Sequence, residues 1–251
     1  MRQQTYFKMM NVPIKSKSLQ RLVDDLRAAH GNNLVSVTLY GSSAIDEADD
    51  RARHDVLIVL RRLELEDLRK ATTTIRNWTR SGQPLPVYFS QDELDRAADV
   101  FPIEFLQMEQ ARKVLHGSDP FEWVEISNAN LRHQTEYELR TKCQQLRRLY
   151  FSTADSGEKL TRLMIDSLSS FAALFRAVLI LHGEPPPVSK RDTIKATIRV
   201  IGLASAPFDR ILELSENKKL RQEGQQATAL FGNYLAQLEL VIDAVDRLER
   251  Q

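Results

Sequence analysis

The chain has 251 residues, with 35 Lys or Arg against 34 Asp or Glu, a formal net charge of +1. So even a balance argues against a general electrostatic binder of nucleic acid or membrane surfaces, and a 42% hydrophobic, 27% charged composition excludes collagen-like and disordered chains. Cys143 is the only cysteine, so no intrachain disulfide can form and a cysteine zinc site has nothing to build on. A reducing cytoplasm is the expected location.

The first 18 residues scatter Arg2, Lys8, Lys15 and Lys17 among polar residues, without the apolar core of a signal peptide. Leu19, Leu22, Val23 and Leu26 then recur at helical spacing until His30-Gly31-Asn32-Asn33 stops the helix. Leu34 to Tyr40 reads as a strand ending at Gly41-Ser42-Ser43, and Asp55 to Leu60 as a second. Glu64 to Thr79 is helical; Pro84-Leu85-Pro86 opens a short strand, Val87 to Phe89; Ser90-Gln91-Asp92-Glu93 caps a helix. A further strand is expected over Phe101 to Met108. After Ser127 the period is helical throughout, with candidates at Leu131–Ser152, Glu158–His182, Ser189–Ile201, Pro207–Asn217 and Gln222–Arg250. Phe171 to Leu181 is the most apolar run; at about half a membrane span, and interrupted by Arg176, it reads as a buried helix. The expected organisation is an α/β domain over residues 1–125 and an antiparallel helical bundle over 126–251.

The chemistry-bearing unit is the strand Leu34–Tyr40, the turn Gly41-Ser42, and the second strand approached through Arg53-His54-Asp55. A glycine and a serine ending a strand let backbone N–H groups and a hydroxyl approach phosphate oxygens. Residues 53 and 55 project from one face of a strand, where two carboxylates would clamp magnesium.

Helix, strand, Gly-Ser, a dozen residues and an acidic strand together resemble the nucleotidyltransferase superfamily that includes DNA polymerase β and the kanamycin nucleotidyltransferases. The resemblance covers about residues 18–117 by motif and the helical remainder by domain order. It implies an α+β fold, a small mixed sheet with flanking helices followed by an all-α bundle. It also implies a nucleoside triphosphate on the Gly-Ser turn and three carboxylates binding two magnesium ions for transfer of a nucleotidyl group to an acceptor hydroxyl. On this resemblance Gly41, Ser42, Ser43 and Arg53 line the triphosphate, while Asp55 and Glu104 are the metal-binding, catalytic acids.

The first acid of the pair falls on Arg53. Sliding the register by two makes Asp55 the first acid and Leu57 the second, so one carboxylate is missing either way. An arginine there would neutralise phosphate charge but repel a metal. The primary reading is a nucleotidyltransferase acting on a small-molecule or macromolecular acceptor, catalytically degenerate if Arg53 has cost it the metal pair; the alternative is a non-catalytic nucleotide sensor or an interaction protein with the bundle as its homodimer surface. Asp46, Glu47, Asp49 and Asp50 form an acidic run between turn and strand, expected to be a solvated loop, with rescue of metal binding as the alternative.

In the helical half, Arg176 and His182 resemble the Arg-x5-His pattern of HEPN domains, which would imply metal-independent RNA cleavage. The plainer reading is a core or interface arginine and a histidine at a helix C-terminus. Arg132, Arg140 and Arg147 lie on roughly one face of the first long helix, either a solvated face or a basic cleft wall. Tyr137, Tyr150, Phe151 and Tyr234 are candidates to stack a base or to pack a core, and His54 and His116 have no metal-ligand spacing.

Overall fold

The computed structural model describes residues 14–44, 52–122, 124–187, 189–217 and 224–248; the acidic run Asp46, Glu47, Asp49 and Asp50 lies outside them. Helix α1 (Lys17–His30) is capped by Ser16, whose Oγ accepts the Leu19 N–H at 3.1 Å, and it ends at Gly31 with φ +53°. Strand β1 (Leu34–Tyr40) pairs antiparallel with β2 (Asp55–Leu60). Helix α2 (Leu65–Arg80) begins in a capping box of Glu64 and Asp67 and returns the chain to β3 (Val87–Ser90), parallel to β2. Ser90 and Glu93 form a second capping box that starts α3 (Gln91–Ala97). Helix α4 (Pro102–Gln110) and strand β4 (Arg112–Gly117), antiparallel to β1, complete a mixed sheet of order β3-β2-β1-β4.

The strand expected over Phe101–Met108 is instead α4. Pro102 suits the first helical position and Glu104 the first turn, where the exposed N–H groups favour an acid. Phe105 and Met108, three apart, are buried on one side of the helix. The outer strand beside β1 is β4, whose only buried apolar side chain among residues 112–117 is Leu115. An edge strand with so little apolar content gives no alternating signal.

Alternation sorts the sheet into two faces. Val56, Ile58 and Leu60 of β2 and Val37 and Leu39 of β1 pack with Leu19, Leu22, Val23 and Leu26 of α1 and with Ala71 and Trp78 of α2. Leu34 joins the same cluster although its parity is wrong, because the β1–β2 register shifts between Leu34 and Ser36. Asp55, Leu57 and Val59 therefore belong to the opposite face. There Phe105 of α4 meets Phe89 of β3 edge-on at 5.9 Å and Phe121 at 6.0 Å.

The chain divides into two units, one running to Ala98 and including Glu104–Glu125, the other comprising Asp99–Ile103 and everything from Ile126. Two hydrogen bonds tie Asp99–Ile103 to the second unit: Asn130 Nδ2 to Asp99 Oδ1 at 2.8 Å, and the Ile103 N–H to Gln134 Oε1 at 2.8 Å. That unit contains α5 (Asn128–Thr153), α6 (Gly157–Leu181), α7 (Lys190–Ile201), α8 (Ala206–Glu216) and α9 (Gly224–Arg247). By length and composition α6 alone among the described helices could cross a membrane, and half of its most apolar window is buried. Its Met164, Leu168, Phe171 and Phe175 sit in the core with Phe208 of α8 and Tyr234 of α9. Phe208 and Tyr234 meet edge-on at 5.8 Å, as do Phe171 and Tyr234 at 6.3 Å.

Candidate functional site

The turn after β1 is built on Gly41, with φ +76°, a left-handed conformation that a side chain would strain. Its N–H donates to the Ala111 carbonyl at 2.9 Å, and its own carbonyl accepts the Ala44 N–H at 3.1 Å, closing a single 3-10 turn, Ser42–Ala44. The Asp55 carboxylate lies directly beside it: a Cβ on Gly41 would meet Asp55 Oδ2 at 3.6 Å. Ser43 is buried and its Oγ has no hydrogen-bond partner among the described residues. A buried hydroxyl left unsatisfied is costly, so the turn holds a polar group with spare capacity beside Asp55.

Cross-strand pairing adds two residues that the linear pattern did not reveal. Tyr40 is directly opposite Asp55 on one side and Arg112 on the other, so Asp55, Tyr40 and Arg112 form a row across three strands on one face. Burial, and then the negative charge of Asp55, push the Tyr40 phenol above its ordinary value, so it remains a neutral donor. Arg112 is committed: Nε reaches both Asp119 oxygens at 3.1 and 2.9 Å, Nη1 donates to the Glu109 carbonyl at 2.6 Å, and the guanidinium lies 5.3 Å from the Phe121 ring centre.

Arg53 is exposed, two residues before Asp55, whereas His54 between them is fully buried. The segment is held by Gln83, whose Oε1 accepts the His54 N–H at 2.8 Å while its Nε2 donates to the Ala52 carbonyl at 3.0 Å. The His54 ring lies tilted against Trp78 at 6.3 Å, with neither nitrogen hydrogen-bonded among the described residues. Gln83 thus fixes the approach to β2 and with it the position of Asp55.

The strand beside β2 is β3, which contains no acid, and Glu104 is an exposed residue of α4. Among the described residues no three His, Cys, Asp or Glu side chains come together as a metal-holding group. Among the described residues the site therefore offers one carboxylate on β2, with Arg53 two residues before it, where a two-metal clamp would use a pair.

The charged and aromatic candidates of the helical unit are mostly engaged. Buried Arg132 reaches Glu136 at 2.9 Å and Arg140 reaches the same carboxylate at 2.7 Å, while Arg147 pairs with Glu239 of α9. Burial opposes ionisation of Glu136, but the hydrogen bonds from Arg140 and Arg132 hold its carboxyl below the usual range. Tyr234 is a core residue and Tyr150 stacks on Phe231 at 5.0 Å, whereas Tyr137 and Phe151 are exposed. Arg176 donates to the Pro187 carbonyl at 2.5 Å. Six residues of helix put His182 about 240° around the axis and ~9 Å further along from Arg176.

No protein-family model matches the sequence, and no curated protein matches it. Among solved structures, spectinomycin adenyltransferase from Enterococcus faecialis, determined with ATP and spectinomycin, is similar over 92% of this chain and 98% of its own, with a TM-score of 0.52 and 13% identity. At that identity the similarity establishes the fold alone: a small mixed sheet with flanking helices followed by a helical part.

Proposed function

We propose that this chain is a nucleotide-binding protein of nucleotidyltransferase fold whose two-metal transfer chemistry has been lost. The triphosphate sits at the Gly41–Ala44 turn. Its phosphate oxygens take hydrogen bonds from the backbone amides after Gly41 and from the Ser43 hydroxyl, while Arg53 neutralises their charge. Asp55 and Tyr40 bound the site as a fixed carboxylate and a neutral phenol. The observation that carries the reading is the buried Ser43 Oγ, unpartnered among the described residues, at a turn where a Cβ on Gly41 would come within van der Waals contact of the Asp55 carboxylate. A cytoplasmic location, where nucleoside triphosphates are abundant, accords with it.

Thermal shift with each of the four nucleoside triphosphates, with and without magnesium, tests this directly. Stabilisation should appear without magnesium, diminish in Ser43→Ala and vanish in Ser42→Trp. No shift at millimolar triphosphate would remove the nucleotide from the account.

A second reading keeps transfer to an acceptor hydroxyl, with Asp55 and Glu104 sharing a magnesium. It is favoured by the extent of the likeness to the adenyltransferase, which takes in 92% of this chain and so its helical part. Label from the α-phosphate of a triphosphate, incorporated into a hydroxylated acceptor only with magnesium and lost in Asp55→Asn, would establish that reading over the first. For RNA cleavage by Arg176 and His182, no specific geometry speaks.

A further inference from the structure

The sheet end remote from Gly41 and Asp55 carries a second polar concavity. β1 runs from Leu34 to Tyr40, roughly 20 Å at ~3.3 Å per residue, so the two ends are separate sites. At the Leu34 end a groove of about 550 Å³ is bordered by Asp24, Arg27, Gly31, Asn32, Arg61 and His116. Arg27 comes from the last turn of α1, Arg61 from the residue after β2, and His116 from the end of β4.

The backbone is shaped to bring them together. The β1–β4 register shifts between Val37 and Thr38, which sets His116 opposite Val37, on the face that carries α1. The next residue, Gly117, has φ +79°, and a Cβ there would collide with the Val35 carbonyl, so the strand can end this way only with glycine. The Arg61 N–H donates to the Asn33 carbonyl at 2.8 Å and its Nε to the Asn32 carbonyl at 2.9 Å, which orients the guanidinium while leaving its Nη groups uncommitted.

Two arginines face one carboxylate, Asp24, on the groove's border, so its charge is positive on balance. The carboxylate of Asp24 accepts a hydrogen bond from Gln20 at 3.1 Å, and neither Arg27 nor Arg61 has an acidic partner among the described residues. Two guanidinium groups and an imidazole around one concavity suit a small oxyanion with several acceptor oxygens, which planar arginine forks bind best. We propose that this groove binds a phosphate group, either free or at the end of a phosphomonoester, through Arg27, Arg61 and His116. The site is independent of the Gly41 turn.

The experiment is titration of the full chain with inorganic phosphate and with phenyl phosphate, at constant ionic strength, while following the His116 ring resonances by NMR and heat by calorimetry. A saturable shift at His116 is expected, weakened roughly tenfold or more by Arg27→Gln and by Arg61→Gln, as loss of a charged hydrogen bond implies. It should be unchanged in Ser43→Ala, which separates it from binding at the other end of the sheet. Tighter binding of phenyl phosphate identifies an ester as the ligand, and tighter binding of inorganic phosphate the free anion. Both arginines are exposed, so their loss leaves the core intact; Arg27→Gln carries the test by itself should the Arg61 variant disturb the Asn32 loop. The absence of a saturable shift, or a shift that survives unchanged in Arg27→Gln, overturns the proposal.

Discussion

One side chain, Arg53, decides between the two functional readings. It precedes Asp55 by two residues, with buried His54 between them, so in extended chain Arg53 and Asp55 lie to one side and His54 to the other. An aspartate at 53 would add a second carboxylate with the spacing a metal pair needs, whereas the guanidinium adds a positive charge that repels a divalent ion. Arg53→Asp should therefore bring magnesium dependence to triphosphate binding. The free chain should gain no more than marginally in stability, because residue 53 is exposed and makes no described contact. Thermal shift at fixed ATP across a magnesium titration is the measurement. A response identical to that of the original protein would mean that residue 53 does not face the phosphates.

At the scale of elements, Gly117 is the position where a single methyl group would do most harm. Its left-handed φ and its approach to the Val35 carbonyl make β4 end against β1, so Gly117→Ala must either separate the strands or twist the end of β4. A loss of about 2–4 kcal/mol in unfolding free energy is expected, from backbone strain plus forfeited β1–β4 pairing. Denaturant unfolding measures it, and a loss below about 0.5 kcal/mol would contradict the geometry. This junction also explains what could and could not be read along the chain. β1, its end at Gly41 and the start of β2 at Asp55 are legible because local alternation and chain-breaking residues mark them. Residues 101–108 are not: Ile103, Phe105 and Leu106 satisfy strand and helix periods alike, and only packing of Phe105 against Phe89 and Phe121 decides. β4 depends on pairing with a strand some 75 residues earlier, and the row Asp55, Tyr40 and Arg112 exists only once three strands are in register. In the helical unit, spacing alone leaves Arg132 and Arg140 on either a solvated face or a basic cleft wall, and only packing shows that Glu136 holds both.

At the scale of the whole molecule, buried imidazoles set how stability responds to pH. His30 in the first unit and His182 in the second are both held below the ordinary value of 6.5 by burial. For His30 the charge of Asp67 opposes the shift and that of Lys70 adds to it. Both His30 ring nitrogens and His182 Nε2 are buried without a partner among the described residues, so a proton arriving on any of these nitrogens would place charge at an unpaired atom. His116 shifts the same way, through burial and then Arg27. The folded chain keeps these rings neutral while the unfolded chain binds protons near pH 6.5, so between the folded and unfolded values the unfolded state holds more protons. Stability should be level above about pH 7 and should fall as pH drops through 6.5, by up to about 1.4 kcal/mol for each unit separating the two values at a given histidine. Carboxylates act in another window: hydrogen bonds from the Ser90 backbone and hydroxyl hold Glu93 down, and Glu136 is likewise depressed, so their support is lost only well below pH 5. Urea midpoints measured from pH 8 to pH 5 should reproduce this shape. His30→Leu and His182→Leu should each flatten the slope between pH 7 and 5, the pair together more than either. A slope that persists undiminished in the double variant would move the acid sensitivity away from these rings.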